Sequence, residues 1–393
     1  MIFSLTLSIF GGRWGSYIGI PDTPIFLCDF LFFTSSLFFL PKVKIKGADF
    51  AIWLILIPYL IFLLLQNTHL PYLVRIRDLV PYFYLLFVPL LREPMGILGN
   101  RLIFQYLRVG TLGHALWAFP ASLGILQPLD LGGIFMVPIF SNRWDHTGFA
   151  LAVGLVVWYQ HKVISLKGNI FVLIFILLAA ILQGSRAGLL ACLFSLLALS
   201  VTFFLPGKNS QSFGSRDFRF IPVLALLTFI VVLFFSYFSR YIPETSALSR
   251  IGIVQLSDKA IASGQGTTRG RDSAQKSLMA WVENQNKEFI GVGPGVEMIA
   301  ESGAVSNLSG SLDVRSPHSW LYGCLARFGI LGLFLWSLVL YLARLSEHDN
   351  VNPFKFPNCL VVSLLITAAF GVMIESPFGS LPLAFLLAIP ANK

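Results

Sequence analysis

Charge is what this sequence has least of. Only 12% of its 393 residues are charged, against 56% hydrophobic, and the mean hydropathy is +0.77. A soluble chain of this length could not hide so much apolar surface, so the composition describes a polytopic membrane protein, all-α by expectation. Cysteine is scarce too. Cys28, Cys192, Cys324 and Cys359 each lie in an apolar run, without metal-ligand spacing and poorly placed for a disulfide framework. Met1 to Phe10 is apolar but lacks the basic region of an ordinary cleavable signal, and Gly11-Gly12-Arg13 follows, so it belongs to a first span. There is no internal repeat. The net charge of +9 calls for no nucleic-acid partner, because most of it falls in short loops.

About twenty apolar residues cross a bilayer, which gives about twelve spans. They fall near 2–20, 24–40, 49–66, 76–92, 101–121, 146–160, 168–184, 187–205, 219–238, 318–343, 358–375 and 377–391. Basic residues orient them. Lys42, Lys44 and Lys46 follow the second span, Arg92 and Arg101 flank the loop after the fourth, and Lys162 and Lys167 follow the sixth. Lys208, Arg216 and Arg219 follow the eighth, and Arg344 and Lys355 the tenth. All share one side if both termini are cytoplasmic. The chain then divides into spans one to nine (1–238), an outer loop (239–317) and spans ten to twelve (318–393).

The outer loop has as many acids as bases. Ser263-Gly264-Gln265-Gly266-Thr267-Thr268 reads as a turn or linker. Asp272 to Asn284 reads as a helix whose Ala274, Leu278, Trp281 and Val282 form an apolar stripe, lying on the membrane surface or capping the bundle. Arg269 and Arg271 stand just before it, where a helix N-terminus favours anions. Gly291-Val292-Gly293-Pro294-Gly295 is a compact turn without the lysine of a phosphate loop. The loop ends at Pro317-His318-Ser319-Trp320, where water meets bilayer. At about 100° per residue, Gly329 and Gly332 lie within roughly 40° of the direction of His318, so the imidazole and a close-packing face share one side of the helix.

Some basic residues break the charge pattern. Arg75, Arg77, Arg143 and His146 fall on the outer side, the arginines as snorkelling or lipid-facing cations. Arg186 lies in a tight outer turn between Gly184 and Gly188, where exposed N–H groups beside a guanidinium suit an anion. Asp29 and Glu375, in or near the membrane, are either functional or paired with a basic residue for structure. Arg186, the Arg269/Arg271 pair and His318 therefore belong to one depth of one leaflet. Guanidinium forks fit phosphate oxygens, and a neutral imidazole can take a proton from a sugar hydroxyl. These are the parts of a glycosyl transfer from a lipid pyrophosphate that dispenses with a metal. Asp258, Asp272 and Glu283 form no Asp-x-Asp pair, which weighs against a metal-dependent transferase.

With these motifs the chain resembles the O-antigen ligase family, which is grouped with O-antigen polymerases and bacterial O-linked oligosaccharyltransferases. The likeness rests on Gln183-Gly184-Ser185-Arg186-Ala187-Gly188, on the long loop after the ninth span, and on Arg271 with Trp281 and Gly291-Val292-Gly293. It rests also on His318-Ser319 with Gly329 and Gly332 behind. The resemblance implies a GT-C-like helical bundle in the bacterial inner membrane with its site facing the periplasm. It implies an undecaprenyl pyrophosphate glycan donor, a lipid A–core or glycan acceptor, inversion at the anomeric carbon, and no cofactor. By motif, Arg186 and Arg271 (or Arg269) would hold the pyrophosphate and His318 would activate the acceptor hydroxyl. Nothing in the sequence demands more than a monomer. A transporter of lipid-linked sugar would show a two-fold repeat and broken helices near mid-membrane, neither of which is clear here.

Overall fold

The computed structural model describes residues 2–21, 26–43, 45, 47–160, 166–183, 186–204, 268–304, 316–317, 319–345, 356–371, 373–375 and 377–389. The expected ninth span and His318 lie outside these residues, as do the side chains of Arg186 and Arg269.

The described residues are helical, joined by three isolated β-bridges and no strand. The first helices are α1 (Ile2–Ser16), α2 (Leu27–Phe39) and α3 (Gly47–Leu65), then the short α4 (Tyr72–Asp78) and α5 (Val80–Phe83). Next come α6 (Val88–Ser122), α7 (Trp144–Gln160), α8 (Leu166–Leu182) and α9 (Arg186–Phe204). The outer segment contributes α10 (Thr268–Asn284) and one turn, α11 (Met298–Glu301). The chain closes with α12 (Trp320–Leu345), α13 (Asn358–Ala369) and α14 (Pro377–Ala388).

Two of these, Gly47–Leu65 and Trp320–Arg344, are long and apolar enough to cross a bilayer, with mean hydropathies of 2.4 and 1.9. Five more are apolar but shorter: Leu27–Phe39, Gly168–Leu182, Ala187–Ala198, Asn358–Ala369 and Phe378–Ala388. The longer ones are apolar all round, as membrane helices are. α3 buries Ile52, Leu56, Tyr59 and Leu63 while Phe50, Leu54, Ile57, Ile61 and Leu65 stand exposed. α12 buries Ala326, Trp336, Val339 and Ala343 while Ile330, Phe334 and Tyr341 face outward. Exposed apolar stripes of this size belong against lipid.

Two sequence expectations are corrected. The apolar run 76–92 is not one span. Asp78 ends α4, Pro81 at the start of α5 offers no N–H to continue a ladder, and a 3₁₀ turn (Tyr84–Phe87) leads into α6. Hydropathy cannot register such breaks. Between Arg92 and Arg101 stands no loop but a break at Gly99, at φ 69° and ψ 153°, where two helices join within α6. Arg92 is buried, 3.1 Å from Asp49 on α3, and donates to the Ala343 carbonyl of α12 at 2.7 Å.

Helix ends are also tied by side chains. Arg75 is buried rather than snorkelling, and donates to the Leu64 and Gln66 carbonyls at the end of α3, at 2.6 and 3.3 Å. Arg77 is exposed. Tyr84 donates to Asp29. All four cysteines are buried and free.

α7 packs on α6, α8 and α9, with α13 against both α7 and α9. A Cβ on Gly148 of α7 would overlap Gly188 of α9, and one on Gly188 would stand 2.6 Å from the Gly148 Cα. Gly188 thus serves backbone contact between two helices rather than a flexible turn.

Candidate functional site

The expected turn at 184–186 is where two helices meet: α8 ends at Leu182 and α9 opens at Arg186. The Gly148–Gly188 contact sets this first turn of α9 beside the first turn of α7. Gln183 lies at the same contact. It is fully buried, and neither amide atom has a hydrogen-bond partner among the described residues.

The chain around His318 is pinned on both sides. Ser316 donates to Glu375 Oε1 at 2.9 Å, Ser319 to the Ala369 carbonyl at 2.7 Å, and the Trp320 N–H to the Gly371 carbonyl at 2.8 Å. The last two acceptors lie at the end of α13, where a helix leaves carbonyls without partners. Gly371 in turn adjoins α7, since a Cβ on it would meet Asp145 Oδ2 at 2.8 Å. Asp145 accepts from Arg143 Nε at 3.1 Å and from the His146 N–H at 3.1 Å. Arg143 also lies over Phe378, so it is held by partners rather than by lipid. The start of α7 therefore touches both the start of α9, through Gly148, and the segment that anchors His318, through Gly371.

On α6, beside the first turn of α7, His114 is buried between the Phe10 carbonyl and the Thr147 hydroxyl, at 3.0 and 3.1 Å. Thr147 also bonds Asn142, at 2.7 Å. Phe10 offers that carbonyl because Gly12, at φ 53°, breaks α1, and Trp117 takes it as well, at 2.7 Å. Sequence reasoning passed over His114, although a lone histidine in an apolar run was the available signal.

The outer helix is present and longer than expected. α10 starts at Thr268, so Arg269 and Arg271 lie inside its first turn rather than ahead of it. Ala274, Leu278 and Val282 are buried against Met298, Ile299 and Ala326 of α12, with Trp281 alongside, so the stripe caps the bundle. Arg271 is half-buried. Lys276, exposed and 2.7 Å from Asp272, has its ammonium pKa raised by that partner and neighbours Tyr322. The N-terminal end of α10 therefore points toward the His318 end of α12.

The turn after α10 does more than reverse the chain. Gly329 stands at φ 66° and ψ −171°, which breaks α12. An unbroken helix would join the Ile330 and Leu331 N–H groups to the Ala326 and Arg327 carbonyls. Instead Val292 and Gly293 donate to those carbonyls, both at 2.9 Å, while Ile330 and Leu331 donate to Glu288 and Phe289, at 2.9 and 3.0 Å. Four bonds to the outer turn replace the two lost, which matters where no water can serve. Gly329 and Gly332 were expected to receive a second helix. Gly329 receives this turn, and a Cβ on it would overlap the Phe289 carbonyl; Gly332 faces the Tyr59 and Tyr82 hydroxyls. Past the break the helical wheel from His318 no longer holds.

Asn67 holds the other side of the turn, donating to the Val292 and Pro294 carbonyls at 2.9 and 3.2 Å. The Gly295 N–H donates to Asp78 at 2.9 Å. Asp78 pairs with Arg327 at 3.3 Å, and Arg327 pairs with Glu375 at 3.2 Å. Arg327 and Asp78 are buried, and Glu375 nearly so. Glu375 thus has a structural partner.

The starts of α7 and α9 adjoin each other, the start of α12 reaches α7 through Gly371, and α10 packs on α12. Among the described residues there is no group of three or more metal-ligating side chains.

A family model described as O-antigen ligase matches residues 171–337. The match takes in Arg186, Arg269, Arg271 and His318. No curated protein matches the chain. The segment 171–337 of this membrane protein matches the O-antigen ligase family, the likeness its own motifs carry.

Proposed function

We propose that the protein is an O-antigen ligase-type glycosyltransferase. It moves a glycan from undecaprenyl pyrophosphate to a sugar of lipid A–core, on the periplasmic face of the bacterial inner membrane. The observation that carries this reading is the family match over 171–337, which contains all four candidate residues and the start of α9 that adjoins α7. The multi-pass topology is the one drawn from basic residues: both termini cytoplasmic, about twelve spans in a GT-C-like bundle, and 239–317 as the periplasmic loop.

In this reading Arg186 and Arg271 (or Arg269) hold the pyrophosphate, whose charge grows as it leaves, and forked guanidinium contacts strengthen with it. His318 takes the proton of the acceptor hydroxyl. The hydroxyl oxygen attacks the anomeric carbon from the face opposite the leaving group. The bond from that carbon to the pyrophosphate oxygen breaks, undecaprenyl pyrophosphate leaves with the electron pair, and the imidazolium then returns its proton to water. One displacement inverts the anomeric centre. No cofactor is required.

The experiment supplies purified protein with undecaprenyl pyrophosphate glycan and two acceptors in turn. Transfer to lipid A–core is the expected outcome. Extension of the lipid-linked glycan instead would replace the ligase reading with a polymerase, and transfer to a pilin-like protein with an oligosaccharyltransferase. Arg186→Ala and Arg271→Ala each remove about 1.5–3 kcal/mol of charge-assisted bonding, so each raises the donor KM or lowers kcat by at least tenfold. Full activity in both would overturn the pyrophosphate assignment.

A further inference from the structure

Arg327 is one of two cations in a largely apolar 26-residue helix, the other being Arg344 in its last turn, and it lies outside the groups assigned to the reaction above. In the membrane such a residue is expensive and is kept by its partners. Its partners come from three parts of the chain. Asp78, at the end of α4, also binds the Gly295 N–H of the outer turn, at 2.9 Å. Glu375, just before α14, also accepts from Ser316, two residues ahead of His318, at 2.9 Å. The Arg327 carbonyl itself accepts from Gly293, at 2.9 Å. One residue is thus tied to the turn that anchors α10 and Arg271, and to the segment that carries His318.

We propose that Arg327 is a positioning residue for glycosyl transfer: through Glu375 and Ser316 on one side, and Asp78 and the 288–295 turn on the other, it fixes the His318 segment relative to the outer loop. This rests on His318 being the group that activates the acceptor. Two carboxylates sharing one guanidinium form a network whose members fail together, because removing any one leaves a buried group without its counter-charge or bond. A loose segment misplaces an imidazole by an ångström or so, enough to cost about a hundredfold in rate while substrate still binds. The link through Ser316 is local, so its loss acts on kcat and on the acid limb of the pH profile rather than on donor KM.

The test uses the full-length protein in detergent with the donor and acceptor above. Variants are Ser316→Ala, Glu375→Gln, their double, Arg327→Lys, Arg327→Met and His318→Ala. Glu375→Gln keeps the shape and an acceptor for Ser316 but weakens the tie to Arg327. Expected are a kcat about tenfold lower in Ser316→Ala and in Glu375→Gln, an unchanged donor KM, and a shifted acid limb of kcat. The double variant should be no worse than the weaker single one, because both cut one link. Arg327→Lys should retain more activity than Arg327→Met. Wild-type kcat and pH profile in Ser316→Ala and Glu375→Gln, with His318→Ala inactive, would overturn the positioning role alone. Losses in donor affinity and melting temperature that match the loss in kcat would also overturn it, showing a role in folding only. A fully active His318→Ala would overturn the underlying reading and the positioning role with it.

Discussion

Two long helices are broken by a glycine in nearly the same conformation, yet the two breaks are put to different uses. Gly99 in α6 has φ 69° and ψ 153°, and Gly329 in α12 has φ 66° and ψ −171°. Both conformations are open in practice only to glycine. A Cβ on Gly99 would meet nothing within 4 Å, whereas one on Gly329 would run into the backbone at Phe289 and Gly291. At Gly99 the bend stands in open space. At Gly329 the bend is a socket: the outer turn enters it and takes over the hydrogen bonds the helix gave up. Identical local geometry therefore carries a different load depending on what docks against it, and at Gly329 the load is the link between an outer loop and a membrane helix.

That contrast can be broken by substitution. Gly329→Ala should have the largest effect, about 3–5 kcal/mol, from backbone strain plus disturbed bonds to the turn. Unfolding in denaturant, and faster proteolysis near residues 288–295, would record it. Gly99→Ala pays the strain alone, about 1–3 kcal/mol, and should leave proteolysis of the outer turn unchanged. Equal effects at the two glycines would remove the distinction. Asn67→Ala loses two hydrogen bonds to the turn, at 2.9 and 3.2 Å, and should cost about 1–2 kcal/mol while sensitising the same segment to protease. Lys276→Ala cuts an exposed pair on α10 and should leave the melting temperature unchanged within error, since screened surface pairs contribute little.

Much of the outer region was legible in the sequence because its signals are local. The stripe Ala274, Leu278, Val282 repeats at helical spacing, and those side chains are buried in α10. The glycines of 291–295 announced a turn, and Gly291, Gly293 and Gly295 all have positive φ. The break near 184–186 was equally visible. What was not legible is long-range. Nothing near Arg327 says that its partners are Asp78 and Glu375, about 250 and 50 residues away along the chain. Gly188 looked like part of a flexible turn because its contact, Gly148, lies on another helix. The run 76–92 looked like a span because hydropathy averages over Asp78 and Pro81, whose effect is on the backbone ladder. The gathering of the α7, α9 and α12 ends required the fold.

The most direct measurement is glycan transfer by wild type and His318→Ala side by side, with undecaprenyl pyrophosphate glycan, lipid A–core and a chelator present, followed on a gel. The account predicts that wild type shifts lipid A–core to the glycosylated form despite the chelator and that His318→Ala leaves it unshifted. Transfer by both proteins would contradict the role of His318, and loss of wild-type transfer on chelation would contradict a reaction run by the protein's own side chains.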